Sequence, residues 1–560
     1  MSKQYFRICF CFWRKFKIKW EAEPPGDIKK LFDQYAEHGT MTIDHLLRFL
    51  IDFQGQHDAT KDDAQAIFNS LKHLNIFQRK GLQIDTFFRY LLGDLNGPLS
   101  PRGVHHDMNA PLAHYFIYTG HNSYLTGNQL SSDSSTVPII DALNKGVRVI
   151  ELDLWPTTSG DDVEVRHGGT LTSPVELIEC LEAIKNHAFS ASESPVIITF
   201  EDHIPAYLQA KVAKLVRKTF GSMLFWPTTE VLKEFPSPAS LKKRIMISTK
   251  PPENPEDHID SDEEGIGATD KLHDTYFNGR MRQVIKMKDE EEIPEYRRLI
   301  AIHAGKPKGG IEKWLINRSK ARRLSLSEQE LEDIAGTRGT DIVRYTQRNL
   351  LRIYPKGMRL DSSNYNPMVG WKHGAQMVAF NMQGLGKNLK IMEGMFRANG
   401  GCGYVKKPEF LLTVGPNGEV FDPKATLPVK KTLKVRVYMG EGWHMEFHET
   451  HFDSYSPPDF FTKVGIAGVP ADTVMKRTRA IEDQWVPVWN EEFIFPLTVP
   501  ELALLRVIVL EYDTPGQPDF GGQTCLPISE LRTGIRAVPL YNNQGEIYKF
   551  VRLLMRFEFV

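Results

Sequence analysis

The sequence predicts a multidomain α/β protein with three parts. These are a helical lobe, a TIM-type (β/α)8 barrel split by an acidic insert, and a C-terminal antiparallel β-sandwich. Three observations predict them: helically spaced apolar residues before residue 97, alternating strand and helix patterns from about residue 112, and β-rich runs from about residue 433. A chain of 560 residues is also too long for a single hydrophobic core.

The composition is that of a soluble globular protein, with 25% charged and 41% hydrophobic residues. The net charge of −1 gives no reason to expect nucleic-acid binding. Five scattered cysteines fit a reducing compartment without a disulfide framework. No uninterrupted apolar run is long enough to span a bilayer, so no transmembrane segment is expected.

Residues 1–26 form a basic and aromatic N-terminal segment that contains FRICFCFWRKFKIKW. Two interpretations stay open for it. The segment is either a tail packed on the first helix or a membrane-contact segment with Cys9 and Cys11 as acylation sites.

The helical lobe is predicted over residues 27–97, where four apolar stretches have helical spacing. Four short helices joined by polar turns resemble a pair of EF-hands. The loops depart from the calcium-binding pattern, because the ligand positions counted from Asp33 fall on Tyr35 and Glu37, and Gly39 comes one place late. A structural role is therefore expected for this lobe.

The barrel is predicted in two halves, residues 107–251 and 295–413, separated by an acidic linker over residues 252–294 that is rich in Asp, Glu, Pro and Gly. Five strands are expected before the linker and at least three after it. The candidates are 115–118, 147–152, 163–166, 196–200, 245–247, 299–303, 350–354 and 377–381. The sandwich is predicted over residues 430–560, with strand candidates at 433–438, 461–466, 492–495 and 504–512.

Oxygen-bearing side chains stand where predicted barrel strands end. Glu151 and Asp153 are two apart on one strand, so they point to the same face and repel each other unless a cation lies between them. Asn122 and Glu201, at other strand ends, complete an all-oxygen set that suits Ca²⁺ or Mg²⁺. The pair Glu151 and Asp153 alone would fit a strand that leaves the core for a solvated turn, but four such groups favour a metal site.

Two histidines, His121 and His167, follow different predicted strands beside this oxygen set. A lone histidine is more often a capping or surface residue. Two of them next to a predicted metal site indicate an acid–base pair, because imidazole titrates near neutral pH.

A cationic set follows on later strands. Lys250 ends one strand, and Arg352 and Tyr354 alternate on another, so both point to one face. Ser325 and Ser327 lie nearby in LSLSE. Arginine and lysine clamp phosphate and tyrosine can cover a sugar-like ring, so these residues favour a phosphorylated ring as substrate over an ordinary solvated basic rim.

At these residues the sequence resembles eukaryotic phosphoinositide-specific phospholipase C of the plant type, over nearly the whole chain. The matching motifs are YTGHNSYLTGNQ, GVRVIELDLW, RHGGTLTS, ITFEDH, NLLRIYP, DSSNYNP, GAQMVAFNMQ and NGGCGYVKKP. The order of helical lobe, X half, acidic linker, Y half and C2 domain is also that of the family. Many animal relatives have a further N-terminal pleckstrin-homology domain, which the short stretch before the helical lobe is expected not to hold.

The resemblance implies a role for each of these residues. The ligands of a catalytic Ca²⁺ would be Asn122, Glu151, Asp153 and Glu201. The catalytic residues would be His121 and His167, with Glu151 as a candidate base. The inositol head group would contact Lys250, Ser327, Arg352 and Tyr354.

One departure from the family affects the substrate site. Animal members place two lysines around a glycine where this chain has Ser248, Thr249 and Lys250. A serine therefore replaces the first phosphate-binding lysine, which leaves the preference between lipids with one and two ring phosphates open.

The reaction implied is calcium-dependent hydrolysis of phosphatidylinositol 4,5-bisphosphate, and of phosphatidylinositol 4-phosphate, in signal transduction. The products are diacylglycerol and inositol phosphate, formed through a cyclic phosphate. A monomer is expected in the cytosol and, peripherally, on the anionic cytoplasmic face of the plasma membrane. The alternatives are a catalytically weak phosphoinositide-binding scaffold and a glycerophosphodiester phosphodiesterase barrel, which leaves RIYP, the acidic insert and the sandwich unexplained.

Acidic residues on turns of the C2-like sandwich suggest a second calcium site. They are Asp459, Glu511, Asp513 and Asp519. Clustered loop carboxylates bind Ca²⁺ and can bridge it to anionic lipid. Ordinary acidic turn residues are the alternative.

Overall fold

The computed structural model describes residues 2–9, 12–18, 20–71, 81–227, 229, 232–252, 293–305, 320–447, 451–452, 456–512 and 517–560. These residues form two compact units. One consists of Val104–Gly384 and Gly401–Lys424, and the other of Met1–Gly103, Leu385–Gly400 and Ala425–Val560.

The elements are numbered along the chain. The strands are β1 (Ser2–Cys9), β2 (Phe12–Ile18), β3 (Tyr115–Ile117), β4 (Thr119–Gly120), β5 (Val149–Pro156), β6 (Val163–Val165), β7 (Val175–Glu176), β8 (Val196–Asp202), β9 (Ile245–Thr249), β10 (Ile300–Gly305), β11 (Arg323–Ser327), β12 (Leu350–Tyr354), β13 (Met377–Phe380), β14 (Tyr404–Lys406), β15 (Lys431–Glu441), β16 (Phe460–Ala467), β17 (Val474–Arg477), β18 (Val488–Leu497), β19 (Leu504–Glu511), β20 (Phe520–Pro527), β21 (Gly534–Tyr541) and β22 (Ile547–Phe559). The helices are α1 (Gly26–Tyr35), α2 (Ile43–Asp52), α3 (Lys61–Leu71), α4 (Ile84–Leu92), α5 (Val137–Asn144), α6 (Leu177–His187), α7 (Ala206–Phe220), α8 (Ile293–Leu299), α9 (Glu328–Thr346), α10 (Met368–Trp371), α11 (Lys387–Met395), α12 (Glu409–Leu412) and α13 (Trp443–Glu446).

Eight parallel strands of the first unit close into a barrel, which confirms the predicted fold. The order is β4-β13-β12-β11-β10-β9-β8-β5, and β5 pairs again with β4. Four of these strands precede residues 253–292 and four follow them. Neither half can close the barrel alone, so any site at its rim needs both.

The distribution of strands differs from the sequence prediction in two places. The run at 163–166 is not a barrel strand, because β6 pairs antiparallel with β5 and then with β7, as a short extension of the sheet. The missing barrel strand is β11, whose sequence RLSLS alternates polar and apolar residues and lacks the continuous apolar run typical of a buried parallel strand.

The barrel core lies near the beginnings of the strands. Buried apolar side chains there come from most of the barrel strands and form one cluster, which includes Val149, Ile197, Met246, Ile302, Leu350 and Met377. Polar residues follow later on the same strands. This division leaves the carboxyl ends of the strands for chemistry, as in other (β/α)8 barrels.

The second unit contains the helical lobe, whose four helices α1–α4 occupy the predicted positions. The loops of its two helix–loop–helix halves are joined by an antiparallel bridge, in which Met41 and Leu82 exchange two backbone hydrogen bonds of 2.8 Å. The lobe shares a hydrophobic core with Tyr438, Ile535 and Leu554 of the C-terminal strands. The lobe is therefore packed against the C-terminal strands, and a purely structural role for it stays a prediction.

The C-terminal strands form one antiparallel sheet in the order β17-β16-β19-β20-β21-β22-β15-β18. Strands from both ends of this order contribute to one core, including Val464 of β16 and Phe495 of β18. The last three strands, β20 to β22, were not predicted; in β20, Gly521 and Gly522 interrupt the apolar pattern. The helix α11 packs on β20, where a Cβ on Gly394 would come within 2.6 Å of Cys525 Sγ.

The N-terminal segment forms a hairpin that neither sequence interpretation included. Strands β1 and β2 pair antiparallel from Ser2 and Ile18 to Cys9 and Phe12. The alternation of apolar and basic residues has the period of a strand, which explains the hairpin. Acylation of Cys9 stays a prediction, and Cys11 lies outside the described residues.

Within the described part of the chain, no helix is both long and apolar enough to cross a bilayer.

Candidate active site

The polar residues singled out from the sequence lie at the carboxyl ends of the barrel strands. Asn122 follows β4 closely, Glu151 and Asp153 lie on β5, and Glu201 lies near the end of β8. The register places Asp153 opposite Glu201 on the neighbouring strand. These side chains therefore converge although up to 79 residues separate them in sequence.

Glu151, Asp153 and Glu201 form an acidic cluster, in which one carboxylate oxygen of each residue lies within 4.8 Å of the others. Asp153 is buried, and Tyr124 donates a 2.7 Å hydrogen bond to its Oδ2, whereas its Oδ1 is buried without a hydrogen-bond partner. Burial, with repulsion from Glu201 and Glu151, raises the pKa of Asp153 well above its ordinary value. Three converging carboxylates with an orphaned oxygen fit an oxygen-ligated cation.

Asn122 adds an amide beside the acidic cluster. Its backbone is in the left-handed region, with φ of 41°. This conformation allows its N–H to donate a 3.2 Å hydrogen bond to Glu151 Oε2, while its side-chain Nδ2 donates to Gln129 Oε1 at 2.9 Å. Asn122 is thus held against the acidic cluster by its backbone and its side chain.

Arg352 on β12 supplies positive charge directly to the cluster. One guanidinium nitrogen lies 2.5 Å from both carboxylate oxygens of Glu151, and both side chains are buried. The same guanidinium lies over the ring of Tyr354, 5.3 Å from its centroid. Arg352 and Tyr354 therefore lie beside the acidic cluster, as their sequence positions predicted.

The carboxylate of Glu201 is the most open of the three and is held from the side by His203. His203 Nε2 lies 3.4 Å from Glu201 Oε1, and this hydrogen bond lowers the pKa of Glu201. The imidazole of His203 stacks on Trp155 at 4.2 Å between ring centroids. Trp155 thereby fixes the group that orients Glu201.

Each of the two predicted catalytic histidines is fixed through Nδ1. His121 Nδ1 lies 3.0 Å from Asn381 Oδ1, and His167 Nδ1 lies 2.7 Å from the backbone oxygen of Gln129. Both partners accept, so Nδ1 carries the proton and Nε2 is left for chemistry in each ring. Burial, with Arg352, lowers the pKa of His121, and the charge of Glu151 opposes this shift.

The turn after His167 needs glycine for steric reasons. A Cβ on Gly168 would clash with the indole ring of Trp155. Gly169 has φ of 69°, which favours glycine again. The tight HGG turn places His167 next to the backbone of Gln129.

The remaining predicted substrate contacts are more dispersed. Lys250 is exposed just after β9 and makes no ion pair with another described residue. Ser327 ends β11 and caps α9, where its Oγ accepts a 3.1 Å hydrogen bond from the N–H of Glu330. Ser248 is fully buried and donates to the backbone oxygen of Ile302 at 3.2 Å, so it is not exposed to a head group.

Several residues of the site were not identified from the sequence. They are Tyr124, Gln129, His203, Arg323 and Asn381. Asn381 directly follows β13, so the strand-end pattern could have indicated it. Arg323 begins β11 as a buried cation that donates to Thr199 Oγ1 at 3.0 Å, and no local pattern distinguishes it from a surface arginine.

The acidic residues predicted to bind calcium in the C-terminal sheet lie at one end of β19. Backbone hydrogen bonds of 2.9 Å join Tyr512 to Asp459 and Glu511 to Asp519. In the described ranges these three carboxylates do not form a metal-type group, and Asp513 lies outside those ranges. Calcium binding there stays a prediction.

Comparison with protein families identifies three matching regions. They are the X domain of phosphatidylinositol-specific phospholipase C over residues 108–251, its Y domain over residues 307–410, and a C2 domain over residues 431–542. The X and Y matches contain all the predicted barrel residues of the site.

Relatives match over the full chain. Phosphoinositide phospholipase C 2 of Arabidopsis thaliana is 58% identical over 586 residues, which cover 100% of both chains. The mouse 1-phosphatidylinositol 4,5-bisphosphate phosphodiesterase delta-3 is 33% identical and covers 93% of this chain and 66% of its own. The crystal structure of S. officinalis PLC21 superimposes with a TM-score of 0.75 at 26% identity, covering 95% of this chain and 68% of its own. The chain therefore belongs to the phosphoinositide-specific phospholipase C family, the phosphodiester hydrolases that cleave phosphoinositides.

Proposed function

We propose that this enzyme hydrolyses phosphatidylinositol 4,5-bisphosphate, and phosphatidylinositol 4-phosphate, in a calcium-dependent reaction. The products are diacylglycerol and inositol phosphate, formed through a cyclic phosphate. The observation that carries the proposal is one barrel rim that combines the acidic cluster, two histidines with available Nε2 atoms, and Arg352 with Tyr354. The name of the mouse relative supports the bisphosphorylated lipid as substrate.

The acidic cluster with Asn122 is the proposed calcium site. Oxygen ligands on several rigid strand ends suit Ca²⁺, and the orphaned Oδ1 of Asp153 supports a cation there. Calcium supplies a positive charge that lowers the pKa of the inositol 2-hydroxyl and neutralises the phosphoryl oxygens.

Glu151 and His167 are proposed to carry out the two proton transfers of the first step. Glu151 is the proposed base that takes the proton of the 2-hydroxyl, since Arg352 holds its carboxylate in place. The 2-oxygen attacks phosphorus and forms the cyclic phosphate while the bond to the diacylglycerol oxygen breaks. His167 acts in its imidazolium form, with a proton on each ring nitrogen, and gives the Nε2 proton to that oxygen.

His121 has a different proposed role, at the phosphoryl group. With Nδ1 bonded to Asn381, a protonated His121 presents Nε2–H to the phosphoryl oxygens and stabilises the pentacovalent state. Water opens the cyclic phosphate in a second step, in which His167 takes a proton and Glu151 returns one.

The head group is proposed to bind between Lys250, Ser327, Arg352 and Tyr354. Tyr354 would cover the apolar face of the inositol ring, and Lys250, exposed and without an ion-pair partner in the described chain, would bind a ring phosphate. Peripheral binding to the anionic cytoplasmic face of the plasma membrane, from the cytosol and as a monomer, is part of this proposal.

The test replaces each histidine separately. We expect His121→Gln and His167→Ala to lower calcium-dependent head-group release by at least about 100-fold, the scale of acid–base groups. The assay uses vesicles of the mono- and bisphosphorylated lipid, with calcium titrated from chelated to millimolar. Near-wild-type turnover in either variant, or full turnover in chelator, would contradict the proposal.

A further inference from the structure

Gln129 makes hydrogen bonds to four residues at the barrel rim near β4. Its Oε1 accepts a 2.9 Å hydrogen bond from Asn122 Nδ2. Its Nε2 donates to Asn381 Oδ1 at 3.1 Å and to Ser362 Oγ at 2.8 Å. Its backbone oxygen accepts from His167. The side chain is only 6% exposed, so water does not replace these partners.

The direction of these hydrogen bonds is set by a backbone carbonyl. Ser362 Oγ donates to the carbonyl oxygen of Gly127 at 2.7 Å, and a carbonyl can only accept. The hydroxyl proton of Ser362 is therefore committed, and Ser362 accepts from Gln129. This fixes the Gln129 amide with Nε2 toward Ser362 and Oε1 toward Asn122.

The fixed amide of Gln129 then orients two further groups. Since Nε2 donates to Asn381, the atom it meets is the Oδ1 of Asn381, which also accepts from His121 Nδ1. Since Oε1 accepts from the Nδ2 of Asn122, the Oδ1 of Asn122 is left for another partner. One amide thus determines which ring nitrogen of His121 is protonated and which atom of Asn122 is available as a ligand.

A buried glutamine is usually no more than a satisfied core residue. Gln129 differs from such a residue in its hydrogen-bond partners. Each of them except Ser362 is a residue of the proposed chemistry or is bonded to one. A reversed amide would place Nδ2 of Asn122 where a cation needs oxygen.

We propose that Gln129 is the positioning residue of this active site: its side-chain amide sets the tautomer of His121 and turns Asn122 Oδ1 toward the acidic cluster, and its backbone oxygen holds Nδ1 of His167. The inference rests on the proposed function of those three residues. Partners that orient metal ligands and histidines in this way typically contribute about 10- to 100-fold to activity or metal affinity.

The experiment compares two replacements of Gln129. In Gln129→Glu the side chain keeps its shape and its acceptor for Asn122 but loses the donor to Asn381. We expect kcat to fall about 10- to 100-fold with an unchanged KM for vesicle lipid, and calcium binding without substrate not to weaken. Gln129→Met loses both the acceptor for Asn122 and the donor to Asn381. We therefore expect calcium binding, measured by calorimetry, to weaken about 10-fold in addition to the fall in kcat.

The matched control is Gln347→Glu, which makes the same replacement at another buried glutamine of the barrel unit, whose Nε2 donates to the backbone oxygen of Thr413 at 3.1 Å and not to a residue of the proposed chemistry. Its kcat and calcium affinity should stay within about twofold of wild type, well inside the 10-fold floor expected for a positioning residue. Assays are run below the melting temperature of every variant, so a loss of kcat at constant KM reports positioning and not unfolding.

The outcomes separate this inference from the proposed function. Wild-type kcat in both Gln129 variants, or equal losses of kcat in Gln129→Glu and Gln347→Glu, would overturn the positioning role. Unweakened calcium binding in Gln129→Met would overturn the orientation of Asn122. Turnover that survives in His121→Gln or His167→Ala rejects the proposed function whatever Gln129 does.

Discussion

Two buried arginines face the three carboxylates of the acidic cluster. Arg352 pairs directly with Glu151, and Arg323 lies fully within the barrel with its Nε lacking a hydrogen-bond partner. Burial lowers the pKa of Arg323 to about 9, with a further lowering by Arg352, while Glu151 and Glu201 favour its charge. Arg323 thus offsets part of the repulsion in the cluster from within the barrel.

This charge balance predicts a calcium-dependent effect on stability when Arg323 is replaced by Met. Without Arg323 the carboxylates repel more strongly in the metal-free protein, whereas a bound cation compensates. We expect the melting temperature of Arg323→Met to fall more in chelator than in millimolar calcium. Differential scanning fluorimetry in both buffers measures this.

The control for Arg323 is Arg148→Met, which removes another fully buried arginine of the barrel unit. Arg148 donates to backbone oxygens of Leu143 and Ala188, away from the carboxylates. Its loss should lower the melting temperature equally in both buffers. An equal loss in both buffers for Arg323→Met as well would show that Arg323 acts by packing alone.

Among individual residues, those with a recognisable local sequence pattern were predicted from the sequence. Glu151 and Asp153 share a face because they are two apart on a strand, and His121 follows a strand end. Gln129 and Arg323 carry no such signal, because their importance lies in partners that are distant in sequence. Only the closed barrel brings those partners together.

Among the elements, the junction of β11 and α9 serves both fold and site. Ser327 caps α9 and is also a proposed head-group contact. Its neighbour Glu328 accepts hydrogen bonds of 2.6 and 2.9 Å from the side chain of Arg359. Glu328 also accepts a 3.0 Å hydrogen bond from the N–H of Lys356. These contacts tie the start of α9 to the chain that follows β12. Burial raises the pKa of Glu328, but the hydrogen bonds outweigh this and lower it overall.

The lowered pKa of Glu328 predicts a pH-dependent contribution to stability. A carboxylate with a depressed folded pKa stabilises the protein above its unfolded pKa, about 4.3 for glutamate, and loses this effect as pH falls through the folded value. We expect Glu328→Gln to lower the melting temperature at pH 7, with a smaller difference from wild type below about pH 4.

Glu332→Gln provides the comparison for Glu328, since Glu332 is an exposed residue of the same helix. Its melting temperature should follow wild type at every pH. If the difference in melting temperature between wild type and Glu328→Gln stays constant from pH 7 to pH 4, the charge of the Glu328 carboxylate does not contribute to stability.

Elements with a strong periodic pattern were predicted well, and short or mixed ones were not. The four lobe helices follow their apolar spacing. The strand β11 was missed because polar serines near the site interrupt its apolar pattern. The two-residue strand β4 is too short for any period, and only pairing with β5 and β13 defines it.

In the whole molecule, the second unit joins its lobe to the C-terminal sheet by polar contacts as well as by apolar packing. The side-chain amide of Gln54 pairs with both backbone groups of Ile535, at 2.6 and 2.8 Å. Buried Arg536 donates to the backbone oxygen of Gln54 at 2.8 Å and to Asn96 Oδ1 at 3.0 Å. The lobe and the sheet therefore pack as one compact unit.

The last prediction separates membrane binding by this sheet from chemistry in the barrel. Asp459 and Asp519 flank the end of β19, so replacing both by Asn removes two carboxylates from the proposed calcium loops. Because ligand charge sets calcium affinity, we expect the variant to need roughly 10-fold more calcium to bind phosphatidylserine vesicles in sedimentation assays. Hydrolysis of a soluble cyclic inositol phosphate, which needs no membrane, should be unchanged.

The control is Glu501→Gln, which lies at the opposite end of β19 and pairs with Lys430 at 3.2 Å. This variant should bind vesicles like wild type. Vesicle binding by the double variant at wild-type calcium would remove these carboxylates from the membrane site.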